Sequence, residues 1–300
     1  MGGSEIGPPT CEQSMTDREL QEARREKWRV AGNPARTLES LSEFLESVGF
    51  CLMYPQKPMP LVPTFIGAFA GGDDQLPTWQ TAFSDERARD ATELMVRLLR
   101  QRSAYEANLF GENNFLVAAS VFPYFYALVG DRSPRRTPKA GVRSEYGDLA
   151  RDAFEVIRNH GPVSRQKLLE ALGGGVSAAA LDHALGELWS KLRITRVDYE
   201  PRVGASWDAL YRWSPEAVRQ GINMSVAEGL SALISKYLDC VIAAEPQEVE
   251  EFFAHFVPRF KAKDALNALL SARELSFVHI GHRSLLQVSP AKSERTQERA

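Results

Sequence analysis

Three cysteines are the first side chains whose chemistry must be judged in this 300-residue sequence. They are Cys11, Cys51 and Cys240, which lie far apart and form no CxxC pair. The odd number and the wide spacing argue against a disulfide framework and against a thiolate zinc site, and they favour a reducing cytoplasm. Cys51 lies in the apolar run 50–54, with no histidine nearby to lower its pKa. We therefore predict that Cys51 and Cys240 are buried structural thiols rather than nucleophiles.

The other candidates for metal or phosphate chemistry are weak. His279 and His282 are close in sequence, but they flank a hairpin turn and no further ligand is evident. The glycines at 173–175 lack the lysine and the serine or threonine of a phosphate-binding loop, so they are typical of a helix end and a turn. The adjacent carboxylates Glu250 and Glu251 face apart on a helix. The sequence thus predicts no metal ion and no cofactor.

Composition and charge limit the function classes. The chain is 44% hydrophobic and 25% charged, with a net charge of −3, which is ordinary for a globular protein. No apolar run approaches the roughly 18 residues that a membrane span needs. Positive charge is concentrated in residues 131–143, which hold five basic residues and one acidic residue. Any phosphate-binding surface must therefore be local. We expect a cytoplasmic protein with no membrane partner.

The hydrophobic pattern predicts a mainly α protein with small β-hairpins, an α+β fold built from tandem winged helices. In residues 141–214, three helices and then two alternating strands follow the layout of a helix-turn-helix with a wing. Residues 215–290 repeat this order. Residues 16–140 are predicted to form a divergent first unit. The polar ends, 1–15 and 291–300, are predicted to be disordered.

Four segments resemble the bacterial winged-helix DNA-binding superfamily that contains the YcaQ/AlkZ-type glycosylases for alkylated bases and interstrand crosslinks. They are RTLESLSEFLESVGFCLMYP, FLVAASVFPYFYALVGD, NHGPVSRQKLLEALG and SALISKYLDCVIAAEPQEVEEFF. The resemblance covers roughly residues 36–290, and the chain looks closer to a separate branch of the superfamily than to the glycosylases themselves. The resemblance implies several tandem winged helices that form a concave DNA-binding surface.

The same resemblance implies a catalytic position just after the first core helix, where the glycosylases carry a Gln-apolar-Gln motif or a close variant. Two amides two positions apart on an extended segment point the same way, so they can hold a water and stabilise a sugar cation. The matching stretch here is Cys51-Leu52-Met53, and Gln56 lies beyond Pro55, out of register. Neither Cys51 nor Met53 replaces an amide. The position is therefore predicted to be degenerate, and no catalytic residue is assigned.

The basic stretch 131–143 is predicted to be a linker. The candidate nucleic-acid contacts are basic residues of this linker, of the predicted wing and of one helix start. They are Arg135, Arg136, Lys139, Arg143, Arg193, Arg196, Arg202, Lys261 and Lys263. The first predicted recognition helix, 177–192, begins Ser-Ala-Ala-Ala and is a poor reader of base edges. The equivalent helix of the last unit, which is predicted to begin at Lys261 or Lys263, is better placed. Plain solvated surface is an equally good interpretation, since exposed arginine and lysine are common.

Three functions follow from these patterns. The leading hypothesis is a protein of tandem winged helices that binds nucleic acid, duplex DNA above all, without catalysis of its own. A divergent DNA glycosylase that acts on alkylated or crosslinked bases stays open as an alternative. The third is a winged-helix scaffold for protein–protein interaction, with a second copy or another protein as partner. The acidic balance and the alanine-lined helix 177–192 favour this last alternative.

Overall fold

The computed structural model describes residues 15–110, 113–139, 141, 144–200 and 203–290. The predicted disordered ends lie outside the described residues, apart from Met15. Within these ranges the chain is mostly helical with small antiparallel sheets, which confirms the α+β class. No helix of the described part is long and apolar enough to cross a membrane.

The helices and strands are numbered in chain order. The helices are α1 (Asp17–Lys27), α2 (Leu38–Val48), α3 (Phe65–Ala70), α4 (Glu86–Arg100), α5 (Phe122–Val129), α6 (Asp148–His160), α7 (Arg165–Leu172), α8 (Ala178–Ser190), α9 (Leu210–Trp213), α10 (Pro215–Asn223), α11 (Val226–Val241), α12 (Pro246–Phe253) and α13 (Arg259–Ser271). The strands are β1 (Phe50–Leu52), β2 (Ala104–Phe110), β3 (Asn113–Ala118), β4 (Val163–Ser164), β5 (Ile194–Glu200), β6 (Gly204–Ala209), β7 (Leu275–Ile280) and β8 (Arg283–Val288).

One order of elements occurs three times: a helix, a short strand, two helices and a hairpin. We call residues 38–118 unit 1, residues 148–209 unit 2 and residues 226–288 unit 3. The strand order is β1-β3-β2 in unit 1 and β4-β6-β5 in unit 2. In unit 3, a bridge between Ala244 and Leu286 takes the place of the first strand beside β8. The order predicted for the second and third units is thus observed, and unit 1 follows it as well.

The turn between the third helix and the hairpin has the same backbone geometry in every unit. Arg102, Leu192 and Arg273 adopt left-handed φ angles of 60°, 52° and 59°. In each turn the N–H of the following residue donates to a carbonyl five positions back: Ser103 to Leu98, Arg193 to Leu188 and Glu274 to Leu269. This is the bonding of a Schellman motif, which satisfies a free carbonyl at the helix end. The shared ending directs the chain from helix into hairpin in the same way each time.

Units 1 and 3 share one hydrophobic core, whereas most of unit 2 packs into a second core. Phe50 of β1 lies where the two units join. Its ring stacks on Phe252 of α12 with centroids 5.6 Å apart and on Tyr237 of α11 at 6.5 Å. Such aromatic pairs contribute about 0.5–1.5 kcal/mol each beyond the area they bury. The strand that carries the predicted catalytic position is therefore a packing element between the first and the last unit.

Candidate nucleic-acid interface

The position that the sequence predicts to be degenerate lies on an enclosed strand and just after it. β1 pairs antiparallel with β3, and Cys51 lies opposite Leu116. Cys51 is 0% exposed and Met53 is 1% exposed. Burial raises the pKa of the Cys51 thiol well above its usual value, so the thiol stays protonated and is a poor nucleophile. The structure thus buries Cys51 as predicted and gives this strand no polar side chain that could position a water.

The second described cysteine and the histidines offer no further chemistry. Cys240 on α11 is buried, and burial raises the pKa of its thiol to about 12. His279 lies 3.1 Å from the hydroxyl of Ser284, measured from its Nδ1. His183 pairs with a carboxylate one helical turn away. Within the described ranges, no group of three or more His, Cys, Asp or Glu side chains could hold a metal ion.

The basic linker keeps part of its charge on the surface. Arg135, Arg136 and Lys139 have exposed side chains. The guanidinium of Arg135 lies 5.7 Å from the ring centroid of Tyr211, a cation–π distance that leaves its hydrogen-bond donors available. Arg143 lies outside the described residues. Three of the four predicted linker contacts are therefore placed where a phosphate can reach them.

Arg193 corrects the sequence-based expectation of a phosphate contact. Its side chain is 4% exposed. Nη1 donates to the carbonyl of Arg136 at 2.6 Å, Nε donates to the Tyr146 hydroxyl at 3.2 Å, and Nη2 pairs with Asp131. Because each guanidinium nitrogen has a partner inside the protein, Arg193 is not available to bind a phosphate. It fastens the linker to unit 2.

Arg196 is also engaged inside the protein, at the contact between units 1 and 2. Its guanidinium lies 4.5 Å from the ring centroid of Trp189 and 5.2 Å from that of Trp207. Its Nη1 pairs at 3.1 Å with Oε1 of Glu106 on β2, a residue that is 1% exposed. Burial raises the pKa of Glu106, and the Arg196 charge opposes this rise. Arg202, the remaining predicted wing contact, lies outside the described residues.

The third helices of units 2 and 3 differ sharply in surface chemistry. α8 begins after Ser177, whose hydroxyl accepts the Ala180 N–H at 3.2 Å, and its first turn exposes only alanines. One turn further on, Asp182 already pairs with Arg165 at 2.6 Å. The face is therefore neutral and poor in hydrogen-bonding groups, as the sequence predicts.

α13 instead begins with basic side chains. The helix starts at Arg259, slightly earlier than the predicted start at Lys261 or Lys263. Both lysines are exposed, and neither ammonium group has an ionic or hydrogen-bonding partner among the described residues. Arg259 pairs with Glu251 at 3.2 Å. Lys261 and Lys263 are therefore free to bind an anion.

A concavity of about 490 Å³ lies between α5, α10 and the start of α11. Its walls are Ser120, Pro123, Tyr124, Gln220, Asn223, Met224 and Glu228. The hydroxyl and the backbone N–H of Ser225 bond to Glu228 and lower its pKa, so this carboxylate is ionised. The hydroxyl of Ser120, another lining residue, donates to Glu46 of α2. The concavity thus has a fixed negative charge and aromatic and amide groups, which sequence reasoning did not bring together.

Comparisons with known proteins agree with this architecture. A family model of AlkZ-like DNA glycosylases matches residues 77–300. Among solved structures, the Streptomyces sahachiroi DNA glycosylase AlkZ superposes with a TM-score of 0.57 at 11% sequence identity, covering 92% of this chain and 70% of that chain. No curated protein matches. At this identity the superposition establishes a common fold, while the family model spans most of the chain. The chain therefore belongs to the AlkZ-like DNA glycosylase family.

Proposed function

We propose that this protein binds duplex DNA through tandem winged helices and that unit 3 supplies the main contact. The observation that carries the proposal is the start of α13, where Lys261 and Lys263 are exposed and have no partner in the described part of the chain. The third helix of a winged-helix unit is the element that enters a groove. Lysines in its first turns can neutralise phosphates on the groove edge and fix the register of the protein on the duplex.

The linker is proposed to add a second, weaker contact. Arg135, Arg136 and Lys139 are exposed in a segment that Arg193 anchors to unit 2. An anchored segment loses less conformational freedom on binding than a free one. With a net charge of −3 for the whole chain, repulsion elsewhere keeps binding local, and salt screens it steeply.

We further propose that the Cys51–Met53 position does no chemistry. The strand β1 is enclosed, and Cys51 within it and Met53 just after it carry a protonated thiol and a thioether. Phe50 of the same strand packs units 1 and 3 together. A water and a sugar would need an opening that this packing fills. The family match begins at residue 77, so it does not include this strand.

Gel mobility shifts on plain, alkylated and branched duplexes at low salt test the proposal. We expect a shift with each duplex at micromolar protein, because non-specific DNA binding typically has a dissociation constant of about 10⁻⁴–10⁻⁶ M even at physiological salt. The K261A/K263A variant should shift DNA more weakly than K57A, a control at another exposed lysine. Folded protein that shifts no duplex would overturn the proposal and favour a protein-binding scaffold.

A divergent glycosylase is the second candidate, and the concavity beside α10 is the observation that favours it. An ionised Glu228 can stabilise a sugar cation, and Tyr124 offers a ring on which a base can stack. Release of the damaged base from alkylated duplex, compared between wild type, E228Q and M53L, tests this candidate. Release that falls in E228Q and persists in M53L would place the chemistry in the concavity. No release by wild type that binds the duplex would exclude it.

A further inference from the structure

The most exposed large apolar side chains of the described residues occupy similar places in units 1 and 3. Phe83 is 82% exposed and Phe260 is 62% exposed. Phe83 lies in the short turn just before α4, and Phe260 is the second residue of α13. Both are therefore at the start of the third helix of a unit. A single exposed apolar side chain is ordinary on a protein surface, so the groups around each ring decide whether it suits a ligand.

The charges around the two rings differ. Phe260 follows Arg259 and precedes Lys261, and Lys263 lies one turn further along the helix. Phe83 is followed instead by Asp85, which pairs with Arg87 at 2.8 Å, and by Glu86 at the start of α4. Only the ring in unit 3 is therefore surrounded by charge that complements a polyanion.

The outer face of α13 carries groups that suit a nucleic acid beyond its first turn. Phe260, Lys263 and Asn267 follow one another at helical spacing and are all exposed, while Ala262 and Leu266 point into the core. An asparagine amide can bond a base edge. The face has one exposed carboxylate, Asp264, and the nearby Glu251 is paired with Arg259. The net charge of this face is therefore positive.

Resting on the proposed function, we propose that Phe260 is a wedge that inserts between two stacked bases of duplex DNA. Lys261 and Lys263 would hold the phosphates beside the opened step. Apolar side chains that enter a duplex in this way cost a few kcal/mol of unstacking, which is recovered by contact with the exposed base faces. Flexible pyrimidine–purine steps are the easiest to open. Phe260 is thus a base-stacking residue, and the lysines are phosphate-binding residues.

The test uses the full-length chain and a short duplex with 2-aminopurine at a central TA step. With wild type, we expect 2-aminopurine fluorescence to rise on binding, because the probe loses a stacking neighbour. F260A should bind about 5- to 150-fold more weakly, the equivalent of losing about 1–3 kcal/mol of base stacking, and should give no fluorescence rise. F260W, which keeps a ring, should restore both signals.

F83A is the matched control, since it removes an even more exposed phenyl ring from a place without excess positive charge. We expect it to bind the duplex as wild type does. If F260A keeps the wild-type affinity and fluorescence rise, the wedge proposal fails while DNA binding stands. If wild type binds no duplex, the proposed function fails, and the wedge proposal that rests on it fails as well. If wild type sediments as a dimer and F260A as a monomer while the DNA signals of F260A are unchanged, the ring contacts a second copy. The wedge proposal is then overturned.

Discussion

Replacing Met53 by glutamine restores one amide of the family's catalytic pair and tests whether this position can be polar at all. Met53 is 1% exposed and follows a strand that is wholly buried between β3 and the shared core. Glutamine has nearly the length of methionine, so M53Q changes polarity much more than volume. A buried amide without partners costs about 1–3 kcal/mol. The apolar swap M53L should cost less than about 1.5 kcal/mol.

Urea unfolding followed by tryptophan fluorescence measures the difference. We expect the unfolding midpoint of M53Q to fall below that of M53L, by up to about 1 M for a slope near 3 kcal/mol per M. M53Q should also release no base from alkylated duplex, because the strand has no opening to the sugar. An M53Q protein as stable as M53L would refute this reasoning, since the amide would then have found water or partners that an enclosed strand does not offer.

The other predictions concern buried groups away from the DNA surface. In a Cys11→Ser background, neither Cys51 nor Cys240 should react with a thiol reagent at pH 8 in the native state, since burial raises both pKa values, and both should react in urea; a native thiol that reacts within seconds would contradict their burial. R196M should destabilise the protein by about 3–5 kcal/mol at pH 7, because Glu106 would keep a buried charge without its partner. Burial raises the folded-state pKa of Glu106 above its unfolded value, so this loss is fully present above the folded pKa and disappears as pH falls below the unfolded one. Equilibrium unfolding between pH 4 and pH 7 checks this. The unfolding free energy of E106Q/R196M should not show this pH dependence, because the ionisable group is gone.

Local signals in the sequence predict much of the fold. Thr37, Ser164 and Ser225 each cap a helix where the sequence places one, because a side-chain acceptor before an amphipathic run is a strong start signal. The helix–helix–helix–hairpin order of units 2 and 3 follows from such signals. The sequence of β2 alternates apolar Tyr105 and Ala107 with polar Glu106 and Asn108, which predicts a strand with Glu106 on an exposed face, whereas Glu106 is buried. That carboxylate is neutralised by an arginine 90 positions away, which no local pattern reveals.

Unit 1 shows a second limit of sequence reasoning. It has the same element order as the other units, but the long, proline-rich connection from β1 to α4 hides the repeat spacing. The candidate DNA contacts show a third limit, because exposure is decided by tertiary partners. Arg193 and Lys261 are both basic residues near a helix end, yet Arg193 is enclosed by the linker and Lys261 is exposed. The chemistry of Cys51 could be judged from its neighbours, whereas its role beside Phe50 in joining two units could not.

The sharing of one core between units 1 and 3 has consequences for how the chain is divided. The boundaries predicted at residues 140 and 214 follow connections in the sequence, but Phe50 of unit 1 packs on Phe252 and Tyr237 of unit 3. Removing unit 3 would expose these rings and open the core that units 1 and 3 share. Unit 2, with most of its apolar residues in a core of its own, is the part best suited to independent folding.

The salt dependence of duplex affinity tests the central claim most directly, namely that α13 of unit 3 binds DNA phosphates. Fluorescence anisotropy with one duplex over a range of salt concentrations gives the slope of log affinity against log salt. Each phosphate contact contributes about 0.9 to this slope, so K261A/K263A should reduce its magnitude by about 1.8, and K57A should leave it unchanged. A slope for K261A/K263A equal to that of wild type would contradict the account.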